Sequence, residues 1–580
     1  MQPGQPPYGA QGAQPGYAGS PYPGQGPAPS GQPGAGQFGG PGQGGPGQFG
    51  GPAQGGPGQF GGPGQGGPAS GGPWTPGASG PQGPGPFDPE PKRRGFPRWA
   101  IVALAAVLVV VVGGGAWAFT SLRSGGSQPD QILPDNALAY IRIDLNPSAQ
   151  QKLAVLQFAR KFPDAAKRLG EGDDLRKSLF EAIKSEDDDL KDVDYSTDIE
   201  PWLGDRLGVA VVPGTDGKET TSVAAVEVKD QDKAKAGIEK LRPKDDKTGF
   251  AFTDGYLIIA DTQAQADGYA TSAKEKPLAN NEQFKTDMGA LDKQGVLSFW
   301  IDAGKLAERT GADAKLPVGA GQTTGRVVGA LSFESSYVEL SAQAIGTKVP
   351  TLEKSGIKLG QLPSSTVAAL SVAGAGPAFQ QAWPDVQKAL QATGGAQVES
   401  FMRAAEQQFG IKLPDDLVTL LGDELTLAVD ERGLAESLQG QGGSNGMPPL
   451  PQIGLRSTTD MAKAKALLPK LDQLVAATGA PIQLGKAEGS DSVAIATAQS
   501  YADELVKGGG LGGSETFKTA VPDAEKAQVG LFVDLDKLEK FYLEKAPADQ
   551  RANLQPLRAV GLSGSSTEEG GTFTLRLLVN

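Results

Sequence analysis

Residues 198–211 read DIEPWLGDRLGVAV, and residues 416–429 read DLVTLLGDELTLAV. Both stretches begin with an acidic residue, pass through the tripeptide LGD and continue with alternating apolar residues. Such alternation is typical of a half-buried strand, and a glycine after an apolar run is typical of a helix end. We therefore predict a short helix with Asp198 or Asp416 as its N-cap, ended by Gly204 or Gly422 and followed by a strand.

The same similarity extends over most of the chain after residue 130. Further segments recur in the same order at an offset of roughly 220–233 residues, and the longest is LSFWIDAGKL (297–306) against VGLFVDLDKL (529–538). Self-similarity over such a length indicates one structural unit used twice. We predict two similar modules, 131–346 and 362–580, joined by a linker at 347–361. The other recurring pairs are Leu133-Pro134 with Leu362-Pro363, Asp230 with Asp460, Glu282 with Glu515, and Arg326 with Arg558.

Each module is predicted to be α+β, with a mainly antiparallel sheet and covering helices. Asp254-Gly255 separates the strand-like runs GFAFT and YLIIAD, which is a strong hairpin signal. Hairpins indicate antiparallel pairing with helices on one face. The predicted strands of the first module lie at 137–144, 206–212, 222–228, 249–254, 256–261, 296–302, 327–333 and 337–344, and its predicted helices lie at 148–162, 233–241 and 281–291.

The N-terminal region has a different composition from the rest. Residues 1–90 contain 32 of the 84 Gly and 21 of the 45 Pro, a content too poor in apolar surface to offset the entropy cost of folding. An 11-residue unit, GQFGGPGQGGP with one variant, occurs three times between residues 36 and 68. We predict a disordered Pro/Gly/Gln-rich tail over 1–91, whose regularly spaced Phe residues are either incidental to a linker or weak multivalent contacts.

An uncharged apolar run follows the tail. Residues 99–119 read WAIVALAAVLVVVVGGGAWAF, and a helix of this length spans about 31 Å, close to the hydrocarbon thickness of a bilayer. The basic flank at 92–98 predicts a cytoplasmic N-terminus and export of the chain after residue 120, with a linker at 120–130. An uncleaved signal anchor is preferred over a buried core helix and over cleavage at Ala116-Trp117-Ala118. The predicted membrane-interface residues are Arg93, Arg94, Arg98, Trp99 and Trp117.

Composition excludes several chemistries. The chain has no Cys and no His, so thiol nucleophiles, Cys-ligated metals and histidine-dependent triads are impossible. Its formal net charge is −13, and a polyanion repels nucleic acid. The matches to G-x-S-x-G at 442–446 and G-x-G-x-x-G at 508–513 lack the preceding strand that each motif requires. We predict no catalytic residue, no cofactor and no nucleic-acid partner.

One acidic cluster merits separate attention. Eight carboxylates fall within residues 186–200, and carboxylate oxygens are ligands that Ca²⁺ prefers. The cluster does not fit the EF-hand spacing, and charge runs of this kind are usually solvated loops. No metal site is therefore predicted, and Asp187, Asp189, Asp192 and Asp194 are kept only as weak calcium candidates.

The tail, the basic anchor, LPDNALAYIRIDLNPSAQQKLAVLQFARKFP and the later WLGDRLGVAV together resemble a group of actinobacterial membrane-anchored proteins catalogued as domain of unknown function 3352. The resemblance covers about residues 125–580. It implies an exported α+β protein without an assigned reaction, so no functional residue is carried over.

The expected function is a single-pass envelope protein whose duplicated extracytoplasmic domain binds or scaffolds an unknown envelope partner, with the lipid bilayer contacted through residues 99–119. A lipid or lipoprotein carrier is the alternative. A hydrolase that uses only carboxylates ranks lower. A role confined to the cytoplasmic tail would make residues 130–580 dispensable.

Overall fold

The computed structural model describes residues 127–169, 190–214, 219–241, 247–310, 325–347, 356–439, 451–477, 483–567 and 569–580, with isolated positions between 174 and 184. The predicted tail and the apolar run at 99–119 lie outside these residues. Within the described ranges, none of the helices combines the length and the hydropathy that crossing a membrane requires.

The described chain is organised around one sheet of sixteen strands, all paired antiparallel. The spatial order is β12-β13-β11-β10-β9-β14-β15-β16-β8-β7-β6-β1-β2-β3-β5-β4. Read inward from either edge, the first eight strands and the last eight strands follow the same order. We call β1–β8 the N-terminal half and β9–β16 the C-terminal half.

The strands of the N-terminal half lie where alternation predicts them. They are β1 (Ala139–Asp144), β2 (Leu203–Pro213), β3 (Thr220–Val228), β4 (Gly249–Thr253), β5 (Tyr256–Ala260), β6 (Leu297–Asp302), β7 (Arg326–Phe333) and β8 (Tyr337–Ile345). The strands of the C-terminal half are β9 (Thr366–Ala373), β10 (Glu424–Asp430), β11 (Ile453–Thr458), β12 (Gly485–Glu488), β13 (Ser492–Ala496), β14 (Val529–Asp534), β15 (Leu557–Thr567) and β16 (Gly570–Val579).

Helices connect these strands and cover parts of both faces. Those of the N-terminal half are α1 (Ala149–Ala159), α2 (Pro163–Leu169), α3 (Gln231–Leu241), α4 (Gln263–Glu275), α5 (Glu282–Gly289) and α6 (Ala303–Thr310). Those of the C-terminal half are α7 (Ala375–Phe409), α8 (Asp415–Leu421), α9 (Leu434–Gln439), α10 (Met461–Ala477), α11 (Gln499–Lys507), α12 (Glu515–Ala520), α13 (Leu535–Lys545) and α14 (Ala548–Leu554).

One face of the sheet, which we call the closed face, is covered in both halves. In the N-terminal half Phe284 of α5 packs edge-to-face on Trp300 of β6, with ring centroids 5.7 Å apart. In the C-terminal half Phe517 of α12 packs in the same way on Phe532 of β14, at 5.3 Å. Small residues let the covering segments approach the sheet closely, and a Cβ at Gly530 would lie 2.8 Å from a methyl of Leu359.

The two halves join edge to edge between β8 and β16. Glu339 and Arg576 lie directly opposite each other in this ladder, and their side chains form an ion pair of 2.7 Å. The Arg576 guanidinium also donates to the Thr519 carbonyl and lies 4.5 Å from the centre of the Tyr337 ring. The pairing removes two free strand edges, which would otherwise be open to association.

The hairpin prediction is confirmed, because Asp254 and Gly255 have φ angles of 45° and 81° between β4 and β5. Gly422 ends α8 as predicted, with φ 61°. Gly204 does not end a helix, since it lies inside β2. A bulge there lets the strand begin at Leu203 and places Gly204 against the Glu227 backbone carbonyl.

The predicted N-cap roles of Asp198 and Asp416 are wrong. Asp194 caps the π-helical turn Tyr195–Ile199, and Pro414 occupies the N-cap position of α8. Asp198 and Asp416 lie inside these elements, where each carboxylate accepts the backbone N–H four residues earlier. Each also binds one lysine, Lys240 at 2.6 Å and Lys470 at 2.8 Å.

Candidate functional site: an open leucine face

The face opposite the closed face carries an apolar row that crosses fifteen of the sixteen strands. Leu370 on β9 pairs with Leu427 on β10 and with Leu531 on β14, and each further strand places an apolar residue in register with these. We call this surface the leucine face. From β13 to β4 the row is Ile495, Leu455, Leu427, Leu370, Leu531, Leu562, Leu575, Leu340, Leu331, Leu297, Ile143, Leu207, Val226, Leu257 and Phe252.

In the N-terminal half the chain covers its own leucine face. Val155 and Phe158 of α1 pack with Ile143, Leu297 and Leu331 in one buried cluster. Farther along the same row, Ile238 of α3 packs with Val226 and Leu257. The aliphatic residues of this half are therefore core residues in the usual sense.

In the C-terminal half the row is open. Leu370 and Leu427 expose 42% and 46% of their surface, and Leu455, Leu531 and Leu562 are half-buried. The helix that follows β9 is α7, and its N-cap residue, Gly374, has the left-handed conformation. The first turn of α7 packs on α8, where a Cβ at Gly376 would lie 2.6 Å from the Val418 carbonyl, and the row beside β9 stays exposed.

The open part of the leucine face is sizeable. From Leu455 to Leu575 it crosses six strands, or about 24 Å at about 4.8 Å per strand. Half-buried Val372 and Val533 belong to parallel rows on either side, so the surface is about 14 Å wide at about 3.4 Å per residue. Its footprint of about 340 Å² falls in the range of patches that are often functional in monomers.

Polar residues of the same strands are buried on the closed face. Glu424 and Ser371 are hidden from solvent, and Glu424 accepts hydrogen bonds from the Ser371 hydroxyl at 2.8 Å and the Lys358 backbone N–H at 2.6 Å. Asp430 is fully buried and is paired with Arg432 at 2.7 Å. Burial acts to raise the pKa of Asp430, but hydrogen bonds from Arg432 and Ser365 outweigh it, so the pKa lies below its usual range.

A second concavity lies in the bend of α7. Gly395, with φ 42° and ψ −124°, interrupts the helix. The resulting cleft has a volume of about 310 Å³, at the lower end of the range for small-molecule sites. Apolar and charged side chains share its lining, among them Leu390, Met402, Arg403, Glu406, Ile411 and Leu413.

Only two of the four calcium candidates, Asp192 and Asp194, lie among the described residues. Asp187 and Asp189 lie outside the described residues, Asp192 is exposed, and the Asp194 carboxylate accepts from the Thr197 backbone N–H at 2.9 Å as a cap. Among the residues with described positions, no three carboxylates form a group suited to a metal ion. Arg93, Arg94, Arg98, Trp99 and Trp117 also fall outside those positions.

The fold and its site define the class: a mixed α+β protein built on one antiparallel sheet with an open aliphatic surface. Over residues 101–272 the chain matches the family described as "Protein of unknown function (DUF3352)". The resemblance to domain of unknown function 3352 is confirmed over those residues, which run from the apolar segment to α4. No curated protein and no solved structure matches the chain.

Proposed function

We propose that the chain is a single-pass membrane-anchored protein whose exported domain is a binding or scaffolding module of the cell envelope rather than an enzyme. The open leucine face carries this proposal. Folding normally removes such a surface from water, and the N-terminal half covers its equivalent with α1 and α3. An aliphatic surface left open on one half of a sheet is typical of a binding site.

The proposal includes an internal duplication that produced the two halves. The equal strand order supports it, as does the recurrence of two Asp–Lys pairs, Asp198–Lys240 and Asp416–Lys470. Gln263 and Gln499 also recur, since each bonds both backbone groups of one residue in an outer strand, Phe250 or Lys486. On this proposal the two halves have diverged, since only the N-terminal half covers its leucine face.

Membrane anchoring through residues 99–119 rests on the sequence, as does export of the chain beyond them.

The proposed function is tested by photo-crosslinking in intact cells, with a photoreactive amino acid in place of Leu370. Leu153 on α1 supplies the control position, because it is similarly exposed, at 49%, and lies outside the open row. We expect crosslinks specific to position 370, and an impermeant protease should digest the domain in intact cells. Equal crosslinking from both positions, or protection from the protease, would refute the proposal.

A lipid or lipoprotein carrier is the second candidate, and the cleft in the bend of α7 favours it. Leu390, Met402, Ile411 and Leu413 give this cleft an apolar lining. Native mass spectrometry of the protein purified with its membrane tests this function. A carrier should retain a bound lipid that is lost in a Met402→Gln variant, whereas the binding module should carry no lipid whose retention depends on Met402.

A further inference from the structure

We propose that the open leucine face binds a basic amphipathic helix of a partner protein, in the manner in which α1 covers the N-terminal half. This inference rests on the proposed binding function and names the kind of partner. The N-terminal half supplies the model for this binding. There Val155 and Phe158 of α1 lie on the apolar row of the leucine face, which continues without interruption into the C-terminal half. The α1 cluster already reaches that half through Leu557, Leu577 and Val579.

The dimensions favour one helix. The open row is about 24 Å long, which matches about 16 helical residues at 1.5 Å each. Its footprint of about 340 Å² is less than half of the roughly 800 Å² that each side of a stable complex usually buries. A globular partner or a second copy would therefore need contacts beyond this face, whereas a single helix is accommodated by it.

Hydrogen bonding favours a helix over an extended peptide. β9, β10 and β14 each pair with neighbours on both sides, so they offer no free edge for strand addition. An extended peptide lying on Leu370 and Leu427 would bury backbone groups without partners, which is costly. A helix satisfies its own backbone groups and presents side chains alone.

The net charge of the C-terminal half predicts the sign of the partner's charge. The C-terminal segment 362–580 has 26 acidic and 18 basic residues, a net charge of −8. Exposed Asp423 and Glu431 lie directly before and after β10, the strand that carries Leu425 and Leu427. The segment that contains α1, residues 148–162, has three basic residues and no acidic one. A helix of that composition complements the open face in both shape and charge.

The test uses the full chain in phosphatidylcholine nanodiscs and a fluorescein-labelled peptide of residues 148–162, acetylated and amidated. Fluorescence anisotropy should show saturable binding, with empty nanodiscs as the blank. The double variant Leu370→Gln/Leu427→Gln should bind at least about tenfold more weakly, since two aliphatic contacts are lost. The matched variant Leu153→Gln should bind like the wild type. A peptide with Lys152, Arg160 and Lys161 replaced by Gln should bind several-fold more weakly.

A second measurement does not depend on the folding of the variants. A peptide that carries benzophenone in place of Val155 should crosslink to residues 368–372 and 425–429 of the wild-type protein. Crosslinks confined to other surfaces, equal binding of a scrambled peptide, or binding unchanged in the double variant would overturn the inference. So would native mass spectra in which a phospholipid occupies the face and the peptide does not displace it. In that case in-cell crosslinking from position 370 would still support the proposed function, and the inference alone would fail.

Discussion

The open leucine face makes a quantitative prediction about stability that requires no partner. Leu297 and Leu370 lie in the same cross-sheet row, but they expose 5% and 42% of their surface. Replacing a fully buried leucine by alanine removes about 2.4 kcal/mol of transfer free energy, at about 0.8 kcal/mol per methylene. Leu297→Ala also leaves a cavity, so its total cost should be about 2.7–5 kcal/mol.

Leu370→Ala should cost much less. About three fifths of that side chain is removed from water, so the transfer contribution falls to about 1.4 kcal/mol and water fills the space. We expect a difference of at least about 1.3 kcal/mol between the two variants. The measurement is urea-induced unfolding followed by circular dichroism, with Leu427→Ala as a second exposed position. If Leu370→Ala and Leu297→Ala cost the same, the face is covered and the reasoning about its function is refuted.

Three further predictions concern buried polar groups and close packing. Asp287 is 2% exposed and accepts hydrogen bonds from Arg326 at 2.6 Å and from the Trp300 indole at 2.8 Å. We therefore expect Arg326→Met to lower the free energy of unfolding, measured in urea, by more than Asp287→Ala does. Arg326→Met leaves the buried Asp287 carboxylate without its ion-pair partner, which costs about 3–5 kcal/mol. An equal cost for the two variants, or a larger cost for Asp287→Ala, would contradict this. Because the pKa of Asp430 is lowered in the folded state, its contribution to stability is present above the unfolded value of about 3.9 and is lost as pH falls through the folded pKa. The stability difference between wild type and Arg432→Met should thus be full at pH 7 and shrink below about pH 4, and urea midpoints that differ equally at pH 3 and pH 7 would refute it. Gly530→Ala should destabilise by about 1–3 kcal/mol, since its Cβ would overlap a methyl of Ile357. Gly564→Ala, whose Cβ would lie 3.4 Å from the Thr572 carbonyl, is the milder comparison.

Much of the fold follows from local patterns in the sequence. The eight predicted strands of the N-terminal half and its three predicted helices are all present, with bounds that differ by a few residues. Turn chemistry was equally informative, because Asp254-Gly255 can adopt two consecutive positive φ angles at low cost. The edge-to-edge joining of β8 and β16 depends on a contact between distant segments, and no local pattern encodes it.

The errors at LGD show where local reasoning is insufficient. LGD at 421–423 follows a helix, and LGD at 203–205 lies in a strand. The difference arises because β2 extends back past Gly204 through a bulge against β3. The position of Asp198 and Asp416 before an apolar run predicts that they are caps. Each carboxylate does accept a backbone N–H, but from a position inside the helical element, and it also pairs with a lysine, Lys240 of α3 or Lys470 of α10.

The sequence pattern does not predict the open leucine face, because the structure inverts the usual meaning of alternation. ELTLAVD at β10 places Leu425, Leu427 and Val429 on one side and Glu424, Thr426 and Asp430 on the other. The ordinary interpretation buries the aliphatic side and solvates the polar side. The structure does the reverse, since Glu424, Thr426 and Asp430 are buried and Leu427 is exposed.

Within the fold, only the burial of the polar residues in this inversion has a physical basis. On the closed face, the two buried carboxylates have specific partners, Ser371 and Lys358 at Glu424 and Arg432 at Asp430, so their burial does not carry the full desolvation cost. Nothing comparable offsets the exposure of Leu370 and Leu427, which folding would be expected to bury. The exposure of Leu370 and Leu427 therefore adds nothing to the stability of the sheet. Under our proposal these leucines contact a partner outside the fold, and occupancy of the face by a helix would complete in the C-terminal half the packing that α1 supplies in the N-terminal half.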